Sequence, residues 1–126
     1  MRICVIEDEL MSELIRRLFH ENKEHELIFY LDLSDERVYQ RHLPEDYDLY
    51  WFHISAIENE AMEEIRKKQP WSKLIARTNS GINTDPKNLA YSSYNWLRVM
   101  VDQVAPRICD EKKIIETFGL FGVKIA

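Results

Sequence analysis

Acidic residues directly follow the first apolar segment of this 126-residue chain. Segment 2–6 is short and rich in β-branched residues, and Glu7, Asp8 and Glu9 end it. This pattern predicts a buried strand that ends in carboxylates. Such carboxylates can bind Mg²⁺ or another hard cation, or they can face solvent and stabilise the N-terminus of a following helix. The residues alone leave both interpretations open.

A histidine stands near the end of another apolar segment. Residues 48–54 are aromatic and apolar, which predicts a central strand, and no Asp or Glu lies within four residues of His53 near its end. If His53 lies beside Glu7 and Asp8, one imidazole and two carboxylates can bind a transition metal. We favour the alternative, a structural pair in which an acid keeps the imidazole charged. A metal-dependent site, or one phosphorylated on a nitrogen of His53, is the second hypothesis.

Strands and helices alternate along the first 80 residues. Strands are predicted at 2–6, 26–31, 48–54 and 73–78, and helices from 10 to about 20, from 34 to about 44 and over 57–68. Alternation with short connections predicts an α/β fold in three layers, with helices on both faces of a parallel sheet. Three of the four strands are almost continuously apolar, as is typical of parallel strands buried on both sides.

The last third of the chain allows two assignments. In the first, Asp85 and Pro86 begin a helix that reaches about residue 106, Asp110 begins a helix over 111–118, and 120–125 form a terminal strand. In the second, 95–101 is the fifth strand and 110–118 is the last helix. We favour the first, because the helical spacing between 89 and 104 is more regular than any alternation.

Composition favours one domain over residues 1–126 and a cytoplasmic location. With 45% hydrophobic residues the chain is not generally disordered. A net charge of -5 argues against sequence-independent binding of nucleic acid. No apolar run approaches the roughly 18 residues that a membrane span needs. Cys4 lies in an apolar run, which is typical of a reduced thiol in a protein core.

These features together resemble the receiver domain of bacterial two-component response regulators. The resemblance covers roughly residues 1–80 and is carried by segment 1–9 with its acids, by 47–54 and by 74–78. It implies a flavodoxin-like, doubly wound parallel sheet of order 2-1-3-4-5, here with an atypical C-terminal third. It also implies a signalling site at the carboxyl ends of the strands, where an Asp accepts a phosphoryl group and two acids hold Mg²⁺.

The functional residues of the family can be carried over only in part. Glu7 and Asp8 match the acidic pair and are candidate Mg²⁺ ligands, and Thr78 matches the hydroxyl residue that ends the fourth strand. The phosphoacceptor position falls on His53, and an imidazole cannot form an acyl phosphate. The resemblance therefore implies a degenerate receiver, a pseudo-receiver, in which aspartyl phosphorylation does not occur.

A switch lysine at the end of a strand is also implied by the resemblance. The candidate is Lys124, which lies further from Thr78 than the family pattern implies. In the second assignment of the C-terminal third, the corresponding position is Met100. Under either assignment the set of switch residues is incomplete.

A pseudo-receiver of this kind is expected to act by contact with a protein partner or by self-association, for example as a homodimer. We expect no enzymatic activity, no required cofactor, and no direct contact with membrane or nucleic acid. The aromatic residues Tyr91, Tyr94 and Trp96 lie where the pattern has no clear alternation, so some are expected at the surface. Exposed aromatic side chains are typical of protein contact surfaces, and these three residues are the candidate interface.

Overall fold

The computed structural model of the protein describes residues 1–31, 43–54, 57, 59–78, 101–106 and 109–125. The strands are β1 (Arg2–Glu7), β2 (Glu26–Leu31), β3 (Leu49–His53), β4 (Lys73–Arg77) and β5 (Gln103–Ala105). The helices are α1 (Glu9–Leu18), α2 (Asn59–Lys68) and α3 (Glu111–Gly119). No helix in this part of the chain is long and apolar enough to cross a membrane.

The five strands form one sheet in the order β2-β1-β3-β4-β5, and every neighbouring pair is parallel. Val5 in β1 lies between Phe29 of β2 and Trp51 of β3, and Trp51 in turn pairs with Ile75 of β4. The strands therefore end together at one edge of the sheet. This order confirms the predicted flavodoxin-like fold class, and all four strands predicted before residue 80 are present.

Alternate residues of the central strands enter two separate apolar clusters, one on each face of the sheet. The cluster on the α2 side includes Cys4, Ile6, Tyr50, Phe52, Met62 and Ile65. The cluster on the side of α1 and α3 includes Ile3, Val5, Trp51, Ile15, Ile114 and Phe118. Burial of both faces explains why the sequence of these strands is continuously apolar rather than alternating.

Two helices begin at aspartates, and for Asp110 the sequence predicts this. The Asp8 carboxylate accepts a hydrogen bond from the Met11 amide at 2.8 Å, and Asp110 accepts one from the Lys113 amide at 2.9 Å. Each caps an amide that has no partner within its helix. The bounds of α1 and α3 agree with the predicted helices to within about two residues, which is the ordinary uncertainty at helix ends.

The C-terminal third corrects both sequence assignments. The favoured helix up to residue 106 is wrong at its end, because Val104 lies within β5. Val101 and Val104 are both buried in the cluster on the α2 side. Their spacing, which suggested a helix, therefore reflects burial of residues in and just before a strand. The second assignment puts its strand at 95–101, of which the structure describes only Val101, outside any strand. The strand that precedes the last helix, β5, begins at Gln103.

The predicted terminal strand over 120–125 is also wrong. These residues form a turn and an irregular segment after α3. Their apolar character has another cause, because Val123 is buried against the cluster on the side of α1 and α3. The predicted helix from 34 to about 44 falls mainly on 32–42, and most of the predicted helix after Asp85 falls on 79–100. Both segments lie outside the described residues.

Candidate functional site

Three residues that carry charge or can titrate end neighbouring strands. Arg77, the last residue of β4, pairs in register with His53, the last residue of β3. Ile6 pairs with Phe52, so Glu7 at the end of β1 is the neighbour of His53 on its other side. Residues in register on parallel strands share a face of the sheet, here the face that carries Trp51. The carboxyl ends of the strands therefore hold an acid, an imidazole and a guanidinium in one row.

The carboxylate of Glu7 is fully buried and hydrogen-bonded on both oxygens. Nη2 of Arg77 lies 2.8 Å from Oε1, and Nε of Arg77 donates to Oε2, so the guanidinium binds the carboxylate in a bidentate manner. The indole N–H of Trp51 donates to Oε2 at 2.9 Å, and the Asp8 amide donates to Oε1 at 3.2 Å. These donors hold Glu7 in one orientation.

Asp8 joins the same guanidinium to the N-terminus of α1. Its Oδ2 lies 3.1 Å from Nη2 of Arg77, while its Oδ1 accepts the amide of Met11. The Asp8 side chain is 43% exposed, whereas the Arg77 side chain is 6% exposed. One nitrogen of Arg77 therefore bridges a buried carboxylate and a half-exposed one.

The charges of this cluster stabilise one another. Burial of the Arg77 guanidinium disfavours its charged form, but the hydrogen bonds and negative charge of Glu7, with the charge of Asp8, outweigh it. The pKa of Arg77 is consequently raised above its ordinary value. An ion pair that is buried to this degree depends on both partners, because either charge left alone is expensive to bury.

The donor set does not fit a divalent cation while Arg77 is present. The oxygens of Glu7 and Asp8 that would bind Mg²⁺ already face the guanidinium. Among the residues that the structure describes, no three His, Cys, Asp or Glu side chains are placed to hold a metal ion. The trio of Glu7, Asp8 and His53 considered from the sequence therefore does not form a metal-binding group in this structure.

Thr78 lies where the resemblance puts it, immediately after β4 at the edge that carries the acids. It is buried, and its hydroxyl lies 3.4 Å from the carbonyl oxygen of Ala105, to which it donates. Its amide also donates to that carbonyl, at 3.0 Å. Both contacts tie the end of β4 to the end of β5.

Lys124 does not lie at the end of a strand. It is exposed in the irregular segment after α3, and its carbonyl oxygen accepts a hydrogen bond from the Asn22 side chain at 2.9 Å. The sheet ends instead at Ala105, which is followed by Pro106. The assignment of Lys124 as a strand-ending switch lysine is therefore wrong, because the tail that suggested it is not a strand. Tyr91, Tyr94, Trp96 and Met100 lie outside the described residues.

Arg77 is the residue that sequence reasoning missed. The signal was a cation at the end of the apolar segment 74–76, in a strand predicted to be buried on both faces. A buried arginine requires an acidic partner, and Glu7 and Asp8 were the acids predicted at the same edge. Trp51 belongs to the strand predicted over 48–54 and is buried, and its N–H also donates to the site.

An aromatic stack connects this site to the helices on its face of the sheet. The ring of Trp51 stacks on Phe118 of α3, with centroids 5.2 Å apart and planes at 16°. Phe118 in turn meets Phe19 edge to face at 5.2 Å. The indole that donates to Glu7 is therefore packed directly against α3 and, through it, against the end of α1.

Comparison with known proteins supports the fold. No family model and no curated protein matches the sequence. Among solved structures, the chain is similar to the response regulator protein TrrA from Thermotoga maritima, in complex with Mg²⁺-BeF. The match has 21% sequence identity and a TM-score of 0.58, and it covers 94% of this chain and 96% of that one. The chain thus shares a flavodoxin-like fold with a response regulator protein over nearly its whole length.

Proposed function

We propose that this chain is a cytoplasmic, receiver-like signalling domain that accepts no phosphoryl group and acts by contact with a protein. The observation that carries the proposal is the buried guanidinium of Arg77 on the acidic pair of Glu7 and Asp8. The similarity in fold to a response regulator protein supports the signalling role.

Phosphoryl transfer needs an acceptor and a cation that neutralises the charge on the transferred oxygens. At the end of β3 the chain has His53, whose imidazole cannot form the acyl phosphate that an aspartate forms. At the end of β5, where the resemblance implies a switch lysine, the chain has Ala105. The carboxylates that would recruit a cation are bound to Arg77. The proposed domain is therefore a pseudo-receiver, and we propose no enzymatic activity for it.

The proposal is tested by incubating the full chain with acetyl phosphate or phosphoramidate and Mg²⁺, followed by intact-mass measurement. We expect no adduct of about 80 Da, the mass of one added phosphoryl group. An adduct contradicts the proposal. If His53→Gln then abolishes that adduct, the alternative of a histidine-phosphorylated site is supported, and phosphoramidate is included because it donates to imidazole nitrogens.

The mode of action by protein contact needs a separate measurement. The interface proposed from the sequence consists of Tyr91, Tyr94 and Trp96. Sedimentation velocity of the wild-type chain, with Tyr94→Ala and Trp96→Ala, tests it for self-association. Loss of a dimer in both variants with unchanged circular dichroism supports this interface, and a dimer that both variants retain contradicts it. The control is Trp71→Ala, since Trp71 is an exposed aromatic residue in another region of the chain.

A further inference from the structure

We propose that Arg77 is a built-in counter-cation of the carboxylate pair. Its guanidinium takes the place of a divalent cation, so that the wild-type pair of Glu7 and Asp8 binds neither Mg²⁺ nor Mn²⁺. Removal of the charge of Arg77 converts the same pair into a divalent-cation site. This inference rests on the proposed function and deepens it, because it names what replaces the cation.

The geometry is that of a shared cation. A single nitrogen, Nη2 of Arg77, lies 2.8 Å from a Glu7 oxygen and 3.1 Å from an Asp8 oxygen. Mg²⁺ and Ca²⁺ bind carboxylate oxygens at roughly 2.0–2.6 Å, so a metal and the guanidinium would have to occupy the same space between the two side chains. A metal ion and the guanidinium of Arg77 therefore cannot bind the carboxylate pair at the same time.

The charges lead to the same conclusion. Glu7 and Asp8 carry two negative charges, and Arg77 compensates one of them within the cluster. A divalent cation added beside Arg77 would bring like charges to within a few ångströms of each other in a poorly solvated place, where repulsion is strong. Without the guanidinium charge, less of the pair's negative charge is compensated, which favours a divalent cation between the two side chains.

The carboxylates do not depend on Arg77 alone for their positions. Glu7 is held by the indole of Trp51 at 2.9 Å and by the amide of Asp8 at 3.2 Å. Asp8 is held as the cap of α1 through the Met11 amide at 2.8 Å. None of these three hydrogen bonds involves residue 77. Asp8 is also half-exposed, which leaves room for the waters that Mg²⁺ and Mn²⁺ retain when they bind to few protein ligands.

The test compares the wild-type chain with Arg77→Gln, whose neutral amide can still donate to Glu7. Binding of Mn²⁺ is titrated without any phosphodonor, and the thermal midpoint is measured with and without Mg²⁺ or Mn²⁺ at about 10 mM, since a cation that binds the folded state raises the midpoint. We expect no shift for the wild type. For Arg77→Gln we expect a clear rise and an Mn²⁺ affinity at least about tenfold above that of the wild type.

Two control variants make the result specific. Adding Asp8→Asn to Arg77→Gln removes one of the two charges but keeps the helix cap, because Asn caps as well as Asp. This double variant is expected to lose the gain in affinity. Arg66→Gln removes a guanidinium that pairs with Asp102 at 2.7 Å, away from the carboxylate pair, and it is expected to gain nothing.

The inference is overturned if the wild type binds Mn²⁺ as tightly as Arg77→Gln, or if Arg77→Gln is folded and gains no affinity. If Arg77→Gln is unfolded without metal, recovery of its near-ultraviolet circular dichroism on adding Mn²⁺ supports the inference, and no recovery overturns it. A phosphate adduct on the wild type would contradict the proposed function only. Metal binding by the wild type, without a phosphate adduct, would contradict only the inference that Arg77 takes the place of a divalent cation.

Discussion

The two ends of the sheet bury polar side chains in different ways. At the carboxyl ends of β1 and β4, the buried polar side chains include a charged pair, since Glu7 and Arg77 form a bidentate ion pair. At the amino ends of β3 and β4, they are neutral. There Gln69 donates to Ser72 at 2.9 Å, and Ser72 donates to the carbonyl oxygen of Tyr47 at 2.7 Å.

The neutral network, formed by Gln69, Ser72, Tyr47 and Tyr50, serves mainly the backbone. The side-chain oxygen Oε1 of Gln69 accepts a hydrogen bond from the backbone amide of Asp46 at 2.7 Å, and its side-chain Nε2 also donates to the hydroxyl of Tyr50 at 3.2 Å. Asp46 has a positive φ of 69°, an uncommon conformation for a residue other than glycine. The network therefore fixes the turn that leads into β3.

The kind of buried group distinguishes a structural region of the sheet from a functional one. Neutral groups with satisfied hydrogen bonds are inexpensive to bury and stabilise the fold. A buried ion pair is often no more stabilising than apolar residues of similar size, so stability alone does not explain its presence. We interpret the amino end as structural and the carboxyl end as the functional region. Four predictions test this contrast, in order of decreasing effect.

The largest effect is expected from Arg77→Ala. It leaves the fully buried carboxylate of Glu7 without its cation, which costs about 3–5 kcal/mol of unfolding free energy for a buried pair. Urea denaturation at neutral pH measures the loss. As control, Lys68→Ala removes exposed ion pairs with Glu45 and Glu64 and should lose much less. Equal losses in the two variants would contradict the special burial of the carboxyl-end pair.

Gln69→Ala is expected to have the next largest effect. It removes the acceptor of the partly buried Asp46 amide and the buried donor to Ser72 and Tyr50. A buried polar group that loses its hydrogen-bond partner lowers the free energy of unfolding by about 1–3 kcal/mol, which is less than the cost of an unpaired buried charge. The same urea experiment measures it. A loss larger than that of Arg77→Ala would reverse the proposed difference between the two ends.

The two helix caps provide a matched pair with a smaller effect. Asp110→Ala removes only a cap, and a loss of about 1 kcal/mol is typical of that change. Asp8→Ala removes a cap and a partner of Arg77, so we expect a somewhat larger loss. Asp8→Asn keeps the cap and isolates the charge. If Asp8→Asn lowers the free energy of unfolding as much as Asp8→Ala does, the cap at Asp8 contributes nothing to stability and this prediction is wrong.

The smallest effect at neutral pH comes from the two buried thiols. Burial raises the pKa of Cys4 from 9.0 to about 12 and that of Cys109 from 9.0 to about 11. The folded state therefore retains protons that the unfolded state releases above about pH 9. Stability from this source is complete below pH 9 and falls as the pH rises towards 11–12.

Urea denaturation between about pH 8 and pH 10 checks this direction, because the two states differ in bound protons only above the unfolded pKa. Cys4→Ala is expected to have a lower stability at pH 8, owing to lost packing, but a shallower decline with pH. An unchanged pH slope in both Cys4→Ala and Cys109→Ala would contradict the role of the thiols. Comparing the two variants distinguishes the contribution of the thiol on the α2 side of the sheet from that of the thiol on the side that carries the ion pair.

The site could be predicted in part because its acids and its imidazole follow apolar strands. Glu7, Asp8 and His53 each stand at a strand end that is visible in the pattern, and parallel strands bring their carboxyl ends together. What these residues do there was not visible. The pattern allowed a cation site, solvent-facing acids that stabilise a helix N-terminus, or a histidine pair. In the structure Asp8 caps α1, and both acids also bind Arg77.

Elements whose signals are local could be predicted from the sequence. Apolar runs predicted β1 to β4, and Asp110 predicted the start of α3, because strand burial and helix capping act within a few residues. No local pattern predicted β5, a three-residue strand held by its pairing with β4. The tertiary structure decided the ion pair as well, because Glu7 and Arg77 are 70 positions apart. No local pattern encodes which buried charges pair with each other, because the pairing depends on the spatial order of the strands in the sheet.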